Sequence, residues 1–145
     1  MARPIIKRIT LAEVEYIAFR LARELMEFGE PIPPFYTRYP EKLESCIEVP
    51  FQTFNRKSLY QTFESRAAIL FYLMIKNHPF QNGNKRVAVV TLYYFLSSNR
   101  RRLKIDNIRL YRLAIEVAAS EAKDKDKVLI QIRNFLLNSS EKIKE

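Results

Sequence analysis

The sequence predicts an all-α domain, and three observations carry that reading. Apolar residues recur at helical spacing in five stretches. Only one short segment, around Pro50, mixes β-branched and aromatic residues in the partial alternation of strands. A chain of 145 residues with 48% hydrophobic content is long enough to bury one core, so residues 1–145 are read as a single domain.

Taken in order, Thr10 can cap a helix running to Phe28, with Val14, Ile17, Ala18, Leu21 and Leu25 as its buried stripe and Gly29 as its stop. Pro31 to Pro40 holds four of the seven prolines and reads as an ordered, irregular surface crossing rather than a flexible linker. Glu44 to Phe54 suits a short exposed hairpin, because Pro50 cannot donate within a central ladder. Ser58 to Asn77 carries Leu59, Phe63, Ala67, Leu70, Phe71 and Met74 at helical spacing. Pro79 ends that helix, since the residue before a proline is pushed out of α geometry.

Val87 to Ser98 is apolar enough for a buried helix, with Asn84 placed to cap it and Gly83 letting the backbone turn. Asp106 caps a helix from Ile108 to about Ala119 through Leu110, Leu113, Ala114 and Val117. Lys123 to Lys127 is a solvated mixed-charge turn, and a last helix from about Lys125 to Leu137 faces inward through Val128, Leu129, Ile132, Phe135 and Leu136. The polar tail from Asn138 to Glu145 is expected to fray.

Composition narrows the function classes. No stretch approaches a membrane span, and Met1 to Pro4 lacks the pattern of a signal peptide, so a cytoplasmic protein is expected. A single cysteine, Cys46, excludes an internal disulfide and a cysteine-based metal cluster. A net charge of +9 favours nucleic acid, acidic protein surfaces or phosphorylated ligands as partners, without choosing among them. The densest basic cluster, Arg100 to Arg102 with Lys104, follows a helix end where cations complement the dipole, and no aromatic residue interleaves it as a nucleic-acid surface would want.

The chemistry concentrates in His78-Pro79-Phe80-Gln81-Asn82-Gly83-Asn84-Lys85-Arg86, a loop between two apolar helices. Lys85 and Arg86 fall in the first turn of a helix, where the macrodipole is already positive and acidic residues are the norm. Such broken local rules mark functional sites, and free N–H groups with two cations suit phosphates. His78 is the chain's one histidine, and Gly83 is one of only two glycines. An imidazole near bound polyphosphate can act as a general base toward an incoming hydroxyl. The bland alternatives are a capping or surface histidine and a solvated basic helix start.

On these residues the chain resembles the Fic and Doc (death-on-curing) family, whose motif runs H-P-F-x-[DE]-G-N-G-R-x-x-R in Fic proteins and is similar to H-x-F-x-[DN]-A-N-K-R in Doc proteins. The resemblance implies a helical bundle with a short β-hairpin flap before the motif-bearing helix pair. It implies His78 as the base, Phe80 as the loop anchor, and Gly83, Asn84, Lys85 and Arg86 as the nucleotide-binding set, Arg86 as a clamp on two oxygens. ATP would be the co-substrate and Mg²⁺ its cation. The flap, Cys46, Ile47, Glu48, Val49 and Phe51, would hold a protein target in extended form by strand addition.

Departures from the motif refine the expectation. Where Fic proteins carry an acidic metal ligand, the chain has Asn82, which offers a carbonyl oxygen without charge. Lys85 replaces a Fic glycine and Val89 the second Fic arginine, both toward Doc, whereas Gly83 is Fic-like. The implied function is that of a Doc-like toxin phosphorylating a Ser, Thr or Tyr hydroxyl, with a translation elongation factor as the usual target and a small antitoxin as partner. The alternatives are AMP transfer in the Fic manner, and a degenerate basic module that binds nucleic acid or a protein. No [ST]-x-x-x-E-[GN] segment, the self-inhibitory helix pattern of some Fic proteins, is present at either end. Inhibition is therefore expected from a separate chain.

Overall fold

The computed structural model describes residues 5–26 and 29–143, with Leu25 by its backbone alone. The expected helix end at Phe28, the burial of Leu25 and the outermost tail residues lie outside the described residues.

A helical bundle is built around one central element. Helix α4 (Phe63–Lys76) buries residues all round its circumference, from Phe63 through Ile75, which is the pattern of a core helix rather than a surface one. It packs against α3 (Pro40–Glu48), α5 (Asn84–Ser98), α6 (Asn107–Ala119) and α7 (Lys125–Ser139). Thr62, not Ser58, begins α4: its hydroxyl accepts from Ser65 N at 3.0 Å while Ser65 Oγ accepts from Thr62 N at 3.1 Å. Ser58 and Leu59 fall outside the helix, and Leu59 is exposed rather than buried as expected.

The first helical rod is interrupted. Thr10 closes a capping box with Glu13 and starts α1 (Leu11–Tyr16), which continues through a π segment (Ile17–Leu21) into α2 (Ala22–Leu25). A π turn inserts one residue, which advances the buried face by one position downstream. Val14, Ile17 and Ala18 are buried as expected, but beyond the insertion Ala22 and Met26 take the inward positions, and Leu21 is only half-buried.

The hairpin was expected too early in the chain. Residues Cys46, Ile47 and Glu48 belong to α3 and Val49 and Phe51 to a 3₁₀ turn (Val49–Phe51), so none of the expected flap residues is in a strand. Pro40 at the first turn of α3 is favourable there, and Leu43 and Cys46 form the buried stripe. The observed hairpin is the pair β1 (Thr53–Phe54) and β2 (Lys57–Ser58), joined through Asn55 and Arg56 with φ of 51° and 66°.

A second correction concerns the tail. Residues expected to fray form β4 (Ser140–Lys142), antiparallel to β3 (Arg101–Leu103), with Arg102 opposite Glu141 and the two side chains bonded at 2.6 Å. Arg101 and Arg102 of the basic cluster that follows α5 thus lie in a strand. Arg101 reaches Glu64 at 3.1 Å and lies over the Phe63 ring at 4.5 Å, which ties the strand to the start of α4. Asp106 caps α6 as expected, accepting from Arg109 N at 2.9 Å. No helix among the described residues is long and apolar enough to cross a membrane.

One side chain ties the end of α4 to the end of α6. Lys76 Nζ donates to the carbonyls of Ala118 at 3.2 Å and Ser120 at 2.5 Å, satisfying groups left open at the C-terminal end of α6. Lys76→Met keeps the stem and removes the charge-assisted donors, so it should destabilise the fold by about 1–3 kcal/mol. A denaturant midpoint equal to that of the wild type would show that the tie carries no stability.

Candidate functional site

The loop that joins α4 to α5 begins with a strained residue. Asn77 ends α4 in helical geometry, and His78 follows at φ 49°, in the left-handed region. This is the position where helices ordinarily place glycine. The expectation that Pro79 pushes His78 out of right-handed α geometry is met, but by the left-handed route rather than the extended one. A non-glycine residue there costs roughly 1–3 kcal/mol. The turn leaves the imidazole exposed at the helix end.

Beyond His78 the loop is anchored from inside. Phe80 is 1% exposed, with its ring centroid 6.1 Å from that of Phe35, which in turn contacts Phe19. Phe35 comes from the proline-rich crossing, so that segment is the wall behind the loop. Pro79 O accepts from Tyr39 N at 2.9 Å.

Asn84 does not cap α5. Gly83, at φ 75°, is the cap, and Asn84 is the first helical residue. Its amide is turned back into the loop: Oδ1 accepts from Phe80 N and Nδ2 donates to Phe80 O, both at 2.9 Å and both buried. The residue expected to present an N–H to phosphate therefore has a second task, holding the loop closed.

The cations at the start of α5 already have anionic or polar partners. Lys85 Nζ bonds Glu30 Oε1 at 3.0 Å, and Glu30 Oε2 accepts a long bond of 3.5 Å from Gly83 N. Lys85 above all, then the Gly83 N–H, hold the Glu30 carboxyl below its ordinary value. A carboxylate thus sits on the helix start at the place argued for phosphate. Arg86 turns toward the first helical rod and donates through Nη2 to Met26 O, while its Nε is buried without a partner. The expected two-oxygen clamp is directed at the chain's own backbone.

Two further expected groups sit differently. Asn82 is half-buried in the loop. It contributes at most one neutral carbonyl oxygen, and among the described residues no three His, Cys, Asp or Glu side chains are grouped to hold a metal ion. The loop by itself therefore does not make an Mg²⁺ site, a cation that prefers carboxylates along with phosphates. Of the expected target-binding residues, Cys46 is fully buried, with burial pushing its thiol up to about 12, which leaves it inert. Phe51 is half-buried, its ring faced by the guanidinium groups of Arg8 and Arg66 at 4.6 and 4.9 Å. The strand pair β1 and β2, beyond the expected residues, has a backbone edge that strand addition could use.

Glu30 and Met26 were missed by sequence reasoning because they lie 55 and 60 residues from their partners. The available signal was Gly29, the second of two glycines, immediately before Glu30.

The strain at His78 is directly measurable. His78→Gly removes the left-handed penalty, whereas His78→Ala retains it, so the glycine variant should be about 1 kcal/mol more stable than the alanine variant. Equal unfolding free energies would mean that the left-handed turn stores no strain.

The sequence from residue 8 to residue 96, well over half of the chain, matches the model of the Fic/DOC family. No curated protein and no solved structure matches the chain. The match spans the first helical rod, the proline-rich crossing, α4, the loop and most of α5. The chain belongs to the Fic/DOC family, whose members pass nucleotide-derived groups to proteins, typically from ATP.

Proposed function

We propose that this member of the Fic/DOC family uses ATP to phosphorylate a hydroxyl of a protein target, in the manner of Doc rather than by AMP transfer. The observation that carries the reading is the adjacency of His78, exposed at the end of α4, to a helix start that holds Lys85 beside a carboxylate. His78 takes the proton of the attacking Ser, Thr or Tyr hydroxyl. The hydroxyl oxygen forms a bond to the γ-phosphorus, the bond from that phosphorus to the β,γ-bridging oxygen breaks, and ADP leaves.

The first-turn N–H groups of α5 lack intrahelical acceptors and can take phosphate oxygens. Lys85 adds a point charge. Arg86 would join them on leaving Met26 O. A divalent cation, if used, would be held chiefly by the nucleotide, because Asn82 carries no charge. A translation elongation factor as target and a small antitoxin as inhibitor belong to the same reading and rest on resemblance to Doc proteins.

Lys85 also favours phosphate over AMP transfer. In Fic proteins the position holds glycine, which leaves room for the α-phosphate beside the base. The stem of Lys85 fills that space and its ammonium suits a terminal phosphate.

Incubation of the purified protein with labelled ATP, Mg²⁺ and a bacterial lysate, followed by intact mass of the labelled product, tests the proposal. Phosphate should be added by the wild type, and a well-folded His78→Ala protein should lose about 10²–10⁴-fold in rate. Wild-type turnover by that variant removes the base from the mechanism.

Lys85→Gly separates the two chemistries. It should lose phosphorylation or drift toward adding AMP. AMP on the target of the unmutated protein would overturn the Doc-like reading in favour of the Fic-like one.

A further inference from the structure

We infer that the cleft at the end of the α4 and α5 pair remote from His78 is a docking site for an acidic peptide segment of a partner protein. It is built from residues that the loop chemistry does not use.

Two segments of chain meet just past α5. Asn99 holds Lys7 by both backbone groups, at 2.7 and 3.1 Å, and the carbonyl of Arg100 accepts from Ile143 N at 2.8 Å. Ile5 to Lys7 from the first segment, and Lys142 and Ile143 from the second, line a cleft of about 560 Å³ together with Phe63 at the start of α4. His78 lies beyond the other end of that 14-residue helix, so about 20 Å of helix separates it from the cleft.

The charge on the walls has one sign. Lys7, Arg100, Arg101 and Lys142 line the cleft, and no acidic residue among the described ones does. The pairing of β3 with β4 adds to the excess. Arg102 meets Glu141, but in the next register position Arg101 stands opposite Lys142. Ile143 N bonds Arg100 O and Lys104 N bonds Ser139 O, which makes Arg101 and Lys142 a non-hydrogen-bonded pair, the kind whose side chains stand closest. Like charges directly opposite destabilise a strand pair. Arg101 is drawn aside by Glu64 at 3.1 Å, whereas Lys7 and Lys142 are exposed and have no ion pair among the described residues. An acidic partner would supply the missing charge.

Apolar surface selects among acidic partners. Ile5 is 92% exposed and Ile143 41%, and aliphatic side chains of a peptide can cover both. A nucleic-acid strand wants an exposed aromatic face to stack on. The aromatic ring that lines the cleft, Phe63, is instead buried, with the Arg101 guanidinium 4.5 Å above it.

Fluorescence anisotropy of a labelled octapeptide that alternates glutamate with valine, titrated with the full chain at low salt, tests the site. The wild type should bind it saturably, with affinity falling as salt is raised. The double variant Lys7→Glu/Lys142→Glu should bind more than about tenfold more weakly. It should melt no lower than the wild type, because Lys142→Glu replaces a like-charge pair with an opposite one. Should that variant not fold, Lys7→Gln/Lys142→Gln removes the charges alone and should bind about three- to tenfold more weakly. Undiminished binding by the folded variants, no saturable binding by the wild type, or equal binding of a lysine and valine octapeptide would overturn the assignment. Tighter binding of a single-stranded oligonucleotide of equal charge would overturn it in favour of nucleic acid.

Discussion

One side-chain amide governs the geometry of the site. Asn84 is buried in the first turn of α5, and its two polar atoms meet the two backbone groups of Phe80. A buried amide and a buried peptide each cost free energy when left unpaired, so their mutual pairing in a confined space restricts the loop to nearly one shape. Phe80 adds the apolar half of that constraint by burying its ring against Phe35. Everything else in the site inherits its position from this closure: His78 lies just outside it, Lys85 and Arg86 just beyond it.

The helices were legible because periodicity is local information. A buried stripe needs only the residues of its own helix, and α4, α6 and α7 follow theirs. Where the stripe slipped, the cause was a single inserted residue: the π segment at Ile17–Leu21 transferred the inward role from Leu21 to Ala22. The flap residues were misread for a related reason. Ile47, Val49 and Phe51 suit a strand by type, but Leu43 and Cys46 lie three residues apart on one face of α3 with Pro40 at its start, and that consistency of face and cap decided the outcome. The pairing of β3 with β4 joins residues about forty apart and has no signature in either segment alone.

In the candidate site the division is sharper. Residue types and spacing within the loop fixed which groups stand together, since a helix end, a proline and a helix start leave few geometries. What those groups touch came from elsewhere in the chain. Glu30, Met26, Phe35 and Tyr39 all reach the loop from the N-terminal third of the chain, and apart from Gly29 beside Glu30 no local pattern announces them. Asn84 shows the same limit at short range. Its type suited a cap or a clamp equally, and Gly83, able to take φ 75° without penalty, released it for the second.

The two cations at the α5 start pose an electrostatic problem that the bare helix cannot solve. Lys85 and Arg86 stand where the helix dipole is positive, so each is destabilised unless negative charge is nearby. Both solutions come from one stretch of chain: Met26 offers Arg86 the carbonyl at the C-terminal end of the first helical rod, where the dipole is negative, and Glu30 offers Lys85 a carboxylate. The Arg86 solution is incomplete, because Nε remains buried and unpartnered, a state that favours any anion able to reach it. The Lys85 solution is exposed and screened, and therefore cheap to exchange. The two internal partners thus offset the positive charge gathered at the first turn of α5.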